Sequence, residues 1–332
     1  MTYFSLVQIF AKPYQLDQGA SKGLPLRLKA ETSSANNALK RSSVAEIYAQ
    51  ILKDLDDAET DLPADYGSDA AKTTTRAHKN AAIALKTRVN LAKGDYAKVI
   101  IEGNKIVSAT APFVSPNNVK NTMNTAVKDA FTAPYTTLES VFSFSMSSTN
   151  VPGTQNQLGY YFNTGGGANL EYFLNKTGAG IYASAQFGAN DDRRTKLIGG
   201  TAASPCLLKY SNASPFLDYI PMIRYAEVLL NVAEAEAVVG DQVRSRALLD
   251  AVHKRSDTSY DFGTLDKDAL ITSILLERRI ELLGEGFRYN DLARKVLPIP
   301  SLGAGAAIPS SDSRYTFAIP ASEVRTNPDI DK

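Results

Sequence analysis

The chain has no tryptophan, one cysteine and two histidines in 332 residues. Cys206 alone excludes a disulfide framework, a four-thiolate zinc site and an iron–sulfur cluster. It fixes no redox compartment, because a chain this long buries roughly 75% of its unfolded surface and needs no covalent staple. His78 and His253 are too few for a histidine-rich metal centre; no metal ligand and no cofactor is assigned, and calcium dependence is left open. Charge of one sign is missing as well: 36 basic side chains face 35 acidic ones, and no block of five like charges occurs. Binding to nucleic acid or an anionic membrane draws on a basic stripe that releases counterions, so nucleic acid is not an expected partner. No run approaches the roughly eighteen apolar residues of a spanning helix. The opening MTYFSLVQIFAKPY is partly apolar but has no basic flank, small-residue cleavage site or lipid-accepting cysteine, and it does not read as a signal peptide.

What is present is helical at both ends. Ser43 and Glu46 form a capping box, in which the serine oxygen takes the Glu46 N–H and the glutamate reaches back. Val44, Ile47, Tyr48, Ile51, Leu52, Leu55 and Ala58 then recur at three- and four-residue spacing until Leu62-Pro63 stops the helix. A second helix is expected from about Arg76 to Lys93 and a third from Tyr96 to about Ser108, joined by Gly94-Asp95. This arrangement repeats: a helix from Ile223 to Val239, the turn Gly240-Asp241, then a helix through Ala247, Leu248, Leu249 and Val252. Small residues (Ala81, Ala82 and Ala84; Ala233, Ala235 and Ala237) let paired helices approach closely. Two units of helix, Gly-Asp turn and helix in one register are the pattern of a tetratricopeptide-type hairpin, which stacks on neighbours to bury its face.

Between the hairpins, residues from about Pro112 to Pro215 are rich in Asn, Thr, Ser and Gly, with a β-prone piece at Leu138–Met146. A stretch this long without a strong period is too much for an idle connection. It reads as a loop-rich lobe carried on a helical scaffold, where binding usually sits. Helix returns at Leu265 to about Leu283, and Tyr315–Pro320 reads as a short strand ended by proline. The expected fold is therefore mainly α, a tetratricopeptide-like α-α superhelical scaffold with a partly β variable lobe. It is read as a single domain over 1–332, with scaffold at 1–111, the lobe at 112–215, and scaffold with a C-terminal strand at 216–332.

Motifs of covalent or phosphate chemistry are incomplete. Lys176-Thr177-Gly178 matches one box of serine β-lactam-binding enzymes, yet no lysine in the chain has a serine three residues before it. Gly165-Gly166-Gly167 is followed by Ala168-Asn169-Leu170 instead of the Lys-Ser/Thr of a phosphate-binding loop. Asp191-Asp192-Arg193-Arg194 and Glu277-Arg278-Arg279, with Glu281 and Glu285, offer carboxylates beside guanidiniums. Arginine neighbours hold carboxylates ionised, the opposite of what a general acid needs, so these runs read as helix-terminal ion pairs. No catalytic residue is assigned. The candidate site is the crowd of aromatics beside amides in the lobe: Tyr160, Tyr161, Phe162, Asn163, Tyr172 and Asn175. The flat apolar face of a pyranose lies on such rings, and amides bond its hydroxyls, so the expected ligand is an oligosaccharide.

Ile223-Arg224-Tyr225-Ala226-Glu227 through Ala235 resembles a helix signature of the SusD/RagB family of glycan-capturing outer-membrane lipoproteins. So does Glu277-Arg278-Arg279-Ile280-Glu281-Leu282 with Glu285-Gly286-Phe287-Arg288-Tyr289 and Asp291-Leu292. Asp191–Arg194, Lys209-Tyr210, Ala318-Ile319-Pro320, Asn327-Pro328 and the early Tyr3-Phe4, Pro13-Tyr14 and Leu24-Pro25-Leu26 fall in the family's order. The resemblance covers nearly the whole chain. It implies a non-catalytic protein on the extracellular face of the outer membrane that holds oligosaccharides, or another nutrient, for a SusC-like TonB-dependent transporter. Arg224, Glu227, Arg278, Arg279, Glu281, Glu285 and Arg288 would then be scaffold.

Family members begin with a lipoprotein signal, a lipidated cysteine and a further helical stretch; this sequence starts at Met1-Thr2-Tyr3 and is expected to be an amino-terminally shortened member. Starch-binding relatives use tryptophan platforms, whereas Lys295 stands where the family often has one, so starch is not implied. Two alternatives stand beside capture: a glycan-active hydrolase with its carboxylates in the middle lobe, and a transporter-associated scaffold that binds no ligand.

Overall fold

The computed structural model describes residues 1–30, 32–33, 37–153, 155–301 and 305–332. The chain opens with helices α1 (Thr2–Phe10) and α2 (Tyr14–Asp17) and strands β1 (Lys22–Pro25) and β2 (Arg41–Ser43). Helices α3 (Val44–Asp61), α4 (Ala70–Thr75), α5 (Lys79–Lys93) and α6 (Tyr96–Gly103) follow. The middle holds strand β3 (Ser140–Phe144), helices α7 (Leu158–Phe162) and α8 (Asp192–Lys196), and strands β4 (Ile198–Gly200), β5 (Pro205–Leu207) and β6 (Ile220–Arg224). Helices α9 (Tyr225–Val239), α10 (Gln242–Lys254), α11 (Lys267–Glu281), α12 (Phe287–Arg294) and α13 (Ala321–Thr326) complete it. Among the described residues the strands make three separate two-stranded antiparallel ladders, β1–β2, β3–β6 and β4–β5. None of the described helices is long and apolar enough to cross a membrane.

The residues group into two compact units. The first comprises Met1–Ala58, Arg88–Asp95 and Arg288–Lys332. Its aromatic core sets Phe4 edge-on to Tyr48 at 6.0 Å and Tyr14 on Tyr48 at 5.2 Å. The capping box forms as read: Ser43 N–H donates to Glu46 Oε2 at 2.8 Å and Glu46 N–H to Ser43 Oγ at 3.1 Å. Gly94 has φ +79°, so this turn needs glycine, and a Cβ there would stand 2.7 Å from the end of the Gln15 side chain, which would have to shift. Asn327 clasps the chain at Leu39, accepting its N–H at 2.9 Å and donating to its carbonyl at 2.8 Å.

The second unit, Glu59–Thr87 and Tyr96–Phe287, contains the whole loop-rich lobe. Its centre is α9, buried from Tyr225 to Ala237 and packed against α6, α10 and α11. A helix buried all round must satisfy its polar groups internally. Asn231 does so by donating to Thr87 Oγ1 at 3.0 Å and accepting from Arg278 at 2.6 Å. At Gly103 a Cβ would clash with Val232, so the small residue sets the approach of α6 to α9. Gly240 differs from Gly94: its φ is −120°, outside the left-handed region, and a Cβ would strike the Glu236 carboxylate. That carboxylate accepts the Asp241 N–H at 2.8 Å and an Arg244 N–H at 2.7 Å.

Four boundaries differ from the sequence reading. The helix expected from Ile223 starts at Tyr225, because Ile220–Arg224 pairs with β3 and the Tyr225 N–H is taken by the Glu139 carbonyl at 2.9 Å. The helix expected from Arg76 starts at Lys79 as α5, and a separate short helix, α4, capped by Asp69, precedes it unread. The break lies where buried His78 bonds the Val141 carbonyl at 2.9 Å. The helix expected to reach Ser108 ends at Gly103 and loosens into turns through Val107. Tyr315–Pro320 is not a strand: Ser313–Tyr315 makes a 3-10 turn, and the one bond that Phe317 N–H makes, to the Ile9 carbonyl at 3.0 Å, starts no ladder.

Candidate ligand-binding site

The lobe is fastened to the helices by one buried set of charges. Arg193, on α8, donates to Asp191, to Glu281 at 3.0 Å and to Glu277. Arg224 reaches Glu139 at 2.6 Å, Glu281 at 2.7 Å and Glu285 at 2.8 Å. Arg255 bonds Glu139 at 2.7 Å and Glu281 at 2.6 Å. Lys209 Nζ bonds the Glu281 carbonyl at 2.7 Å and Glu285 at 2.6 Å, and His253 Nδ1 lies 2.7 Å from Glu277. Burial by itself would raise the Glu281 carboxyl, but Arg255, Arg224, Arg193 and Lys209 outweigh it and hold the group well below the usual carboxylate range. Burial is likewise overcome at Glu277, chiefly by Arg193, and at Glu285, chiefly by Arg224. The runs read from sequence as helix-terminal ion pairs are thus joined in a single interior network. A second anchor is buried Asn80, which donates to Asn121 at 2.8 Å and accepts from Asn117 at 2.7 Å.

On this base α7 carries Tyr160, Tyr161 and Phe162 in consecutive positions. The chain then loops back, with Asn169 N–H bonding the Tyr160 carbonyl at 2.8 Å and Glu171 and Tyr172 N–H bonding the Tyr161 carbonyl at 3.0 and 3.2 Å. The return sets Tyr172 at 6.0 Å from Tyr161 and 5.5 Å from Phe162, ring centre to ring centre. Tyr160 meets Tyr161 edge-on at 5.0 Å. The loop is pinned at Gly166, whose carbonyl accepts the Ser214 N–H at 2.8 Å and whose φ is +63°. Tyr160, Tyr161 and Phe162 are half-buried, while Tyr172 is 56% exposed. Partial desolvation, then the Glu171 carboxylate and the neighbouring tyrosines, raise the Tyr161 phenol, so it stays a neutral donor at physiological pH.

Four of the six expected residues therefore form one ring cluster. Asn163 adjoins it with its amide engaged, donating to the Ser211 carbonyl at 3.3 Å and accepting the Thr164 N–H at 2.7 Å. Asn175 stands apart: it caps its own turn through Thr177, and among the described residues it shares no bond with the rings. Missed in the sequence were Tyr210, 6.0 Å behind Phe162, and Phe216, 5.9 Å behind Tyr160. Both lie more than forty residues along the chain. Two further rings of the lobe, Tyr182 and Phe187, are taken up instead by the Arg194 guanidinium, 3.8 Å and 5.7 Å from their ring centres.

Known proteins resemble this architecture at several levels. Residues 211–302 match the model of the SusD family, and residues 1–91 match that of a family described as starch-binding and associating with the outer membrane. SusD-like protein P38 of Formosa agariphila is 35% identical over 102 residues, 28% of this chain and 20% of that protein. A solved structure of a laminarin-binding SusD-like protein aligns over 99% of this chain and 75% of its own, with 21% identity and a TM-score of 0.70. A SusD superfamily protein of Bacteroides fragilis aligns over 99% of this chain and 73% of its own, with 31% identity and a TM-score of 0.86. With that likeness running the length of its helical scaffold and lobe, the chain belongs to the SusD family.

Proposed function

We propose that this protein captures oligosaccharides at the cell surface without cleaving them and passes them to a SusC-like TonB-dependent transporter. The observation that carries the reading is the ring cluster of Tyr160, Tyr161, Phe162 and Tyr172, held at fixed spacing by backbone bonds and partly open to solvent. Family membership, the outer-membrane description of the matching model and the laminarin-binding relative support a saccharide ligand and a surface location. Against hydrolysis, Glu139 and Asp191, the buried carboxylates among the described residues of 112–215, are each bound to arginine and so are engaged in holding the fold. The transporter follows from the family alone.

If a ring covers about 60 Å² of sugar, ~25 cal/mol/Å² gives about 1.5 kcal/mol per platform. Titrating the chain calorimetrically with neutral oligosaccharides tests the site. Tyr172→Ala is expected to weaken binding about tenfold, and Tyr161→Ala with Tyr172→Ala to abolish it. Unchanged affinity in the double variant removes the cluster from the site. Release of reducing ends over hours of incubation would replace capture by hydrolysis.

A further inference from the structure

A cavity of about 470 Å³ lies between the end of α4, strand β3 and the turn that follows β3, apart from the rings and the buried charges. Its size falls within the roughly 300–1,000 Å³ of small-molecule sites. Arg76, the extended residue closing α4, lines it, is exposed, and has no side-chain partner among the described residues. No acidic side chain lines the cavity among the described residues, so its field is that of one cation. Ser143 lines the same space and is only 2% exposed, yet its hydroxyl has no hydrogen-bond partner among the described residues. Its oxygen is not one of the fully buried unbonded atoms, so it stands open to the cavity and can bond a ligand hydroxyl. Phe144 is 48% exposed and braced edge-on by Phe142 at 5.7 Å. The register shift between Phe142 and Ser143 re-aims the strand, so adjacent residues 143 and 144 both reach the cavity. Asn150 lines the space as well, and its side-chain amide has no partner among the described residues.

We propose that this cavity is a subsite for a saccharide residue bearing one anionic substituent, a carboxylate or a sulfate ester. The inference rests on the glycan-capture reading for the sugar body, and on Arg76 for the charge. A planar guanidinium takes two oxygens of either group side by side. The Phe144 ring takes the flat apolar face, and Ser143 and Asn150 take hydroxyls. One guanidinium matches a monoanion and leaves a phosphomonoester dianion half compensated, so the class is an acidic glycan and not a sugar phosphate.

Calorimetric titration of the full chain with three tetrasaccharides of matched length tests it: an oligogalacturonate, a sulfated galactan and a neutral galactan. At least one charged oligomer is expected to bind ten times more tightly than the neutral one. Arg76→Gln should abolish that preference while leaving the neutral affinity alone, and raising salt from about 50 to about 500 mM should do the same. Ser143→Ala, which removes no existing bond, should weaken the charged ligand several-fold with an unchanged Tm. Charged oligomers that bind no tighter than the neutral one, or a preference that survives Arg76→Gln, overturn the subsite and leave capture standing. If no oligosaccharide binds at all, the capture reading fails and the subsite fails with it.

Discussion

Replacing Glu281 by glutamine removes one negative charge from the interior with almost no change in shape. Its side chain is fully buried and accepts from Arg193, Arg224 and Arg255. Each guanidinium keeps other acids, but three cations then share one acid fewer in a site water does not reach. Breaking a buried pair by removing one partner costs about 3–5 kcal/mol. For a unit of about 220 residues, with a melting entropy near 2.1 cal/mol/K per residue, that lowers Tm by about 6–11 °C. Scanning calorimetry at pH 7 measures it. Lys196→Gln, which breaks the half-exposed pair with Asp192 in the same unit, is the control and should shift Tm by about 1 °C or less. The pH dependence carries a second signature. The folded Glu281 carboxyl lies well below its ordinary 4.5, so its stabilisation is fully present above that value and is lost as pH falls toward the folded one. Glu277 and Glu285 act in the same direction. Below about pH 4.5 the parent protein should therefore lose stability more steeply than Glu281→Gln. A variant melting within about 2 °C of the parent at pH 7, with an equal acid slope, would refute the claim that these charges hold the lobe to the helices.

Gly103→Ala should destabilise by about 1–3 kcal/mol in a urea titration, because the added methyl meets Val232; the loss should shrink in a Val232→Ala background. Gly94→Ala should cost about 1–2 kcal/mol at its φ of +79°, read by the same titration. Asp241→Ala strips the cap that accepts Val243 and Arg244 N–H at 2.8 and 3.3 Å, and should cost about 1 kcal/mol, or roughly 2 °C in Tm.

The capping box and the Gly-Asp turns were legible because their partners lie within five residues, where spacing alone defines the contact. Strand β6 was not: Ile-Pro-Met-Ile-Arg runs into the apolar helix beginning at Tyr225, and a short apolar run has no period that separates strand from buried helix. Helix α4, Ala-Ala-Lys-Thr-Thr-Thr, carries no apolar stripe, and only the Asp69 cap betrays it. Three rings of the site sit side by side in sequence, and Tyr172 was recognised from composition, but the backing of Tyr210 and Phe216 depends on pairing across the lobe. Charge runs announced an ion network without its connections. Arg224 and Glu139 are 85 residues apart, and nothing in either neighbourhood names the other.

The polar residues by which the lobe is moored occupy a handful of its positions: Asn117, Asn121, Glu139, Asp191, Arg193 and Lys209. The stretch from about 145 to 175 contributes no member to that set, whereas Ala179 and Ile181 beyond it are tied to α11, and lengthening a loop costs only about 0.6 kcal/mol per doubling. Ligand preference and foldability are thereby uncoupled in this architecture. A relative's segment exchanged between those moorings would bring its own specificity while the host's melting behaviour stayed the same.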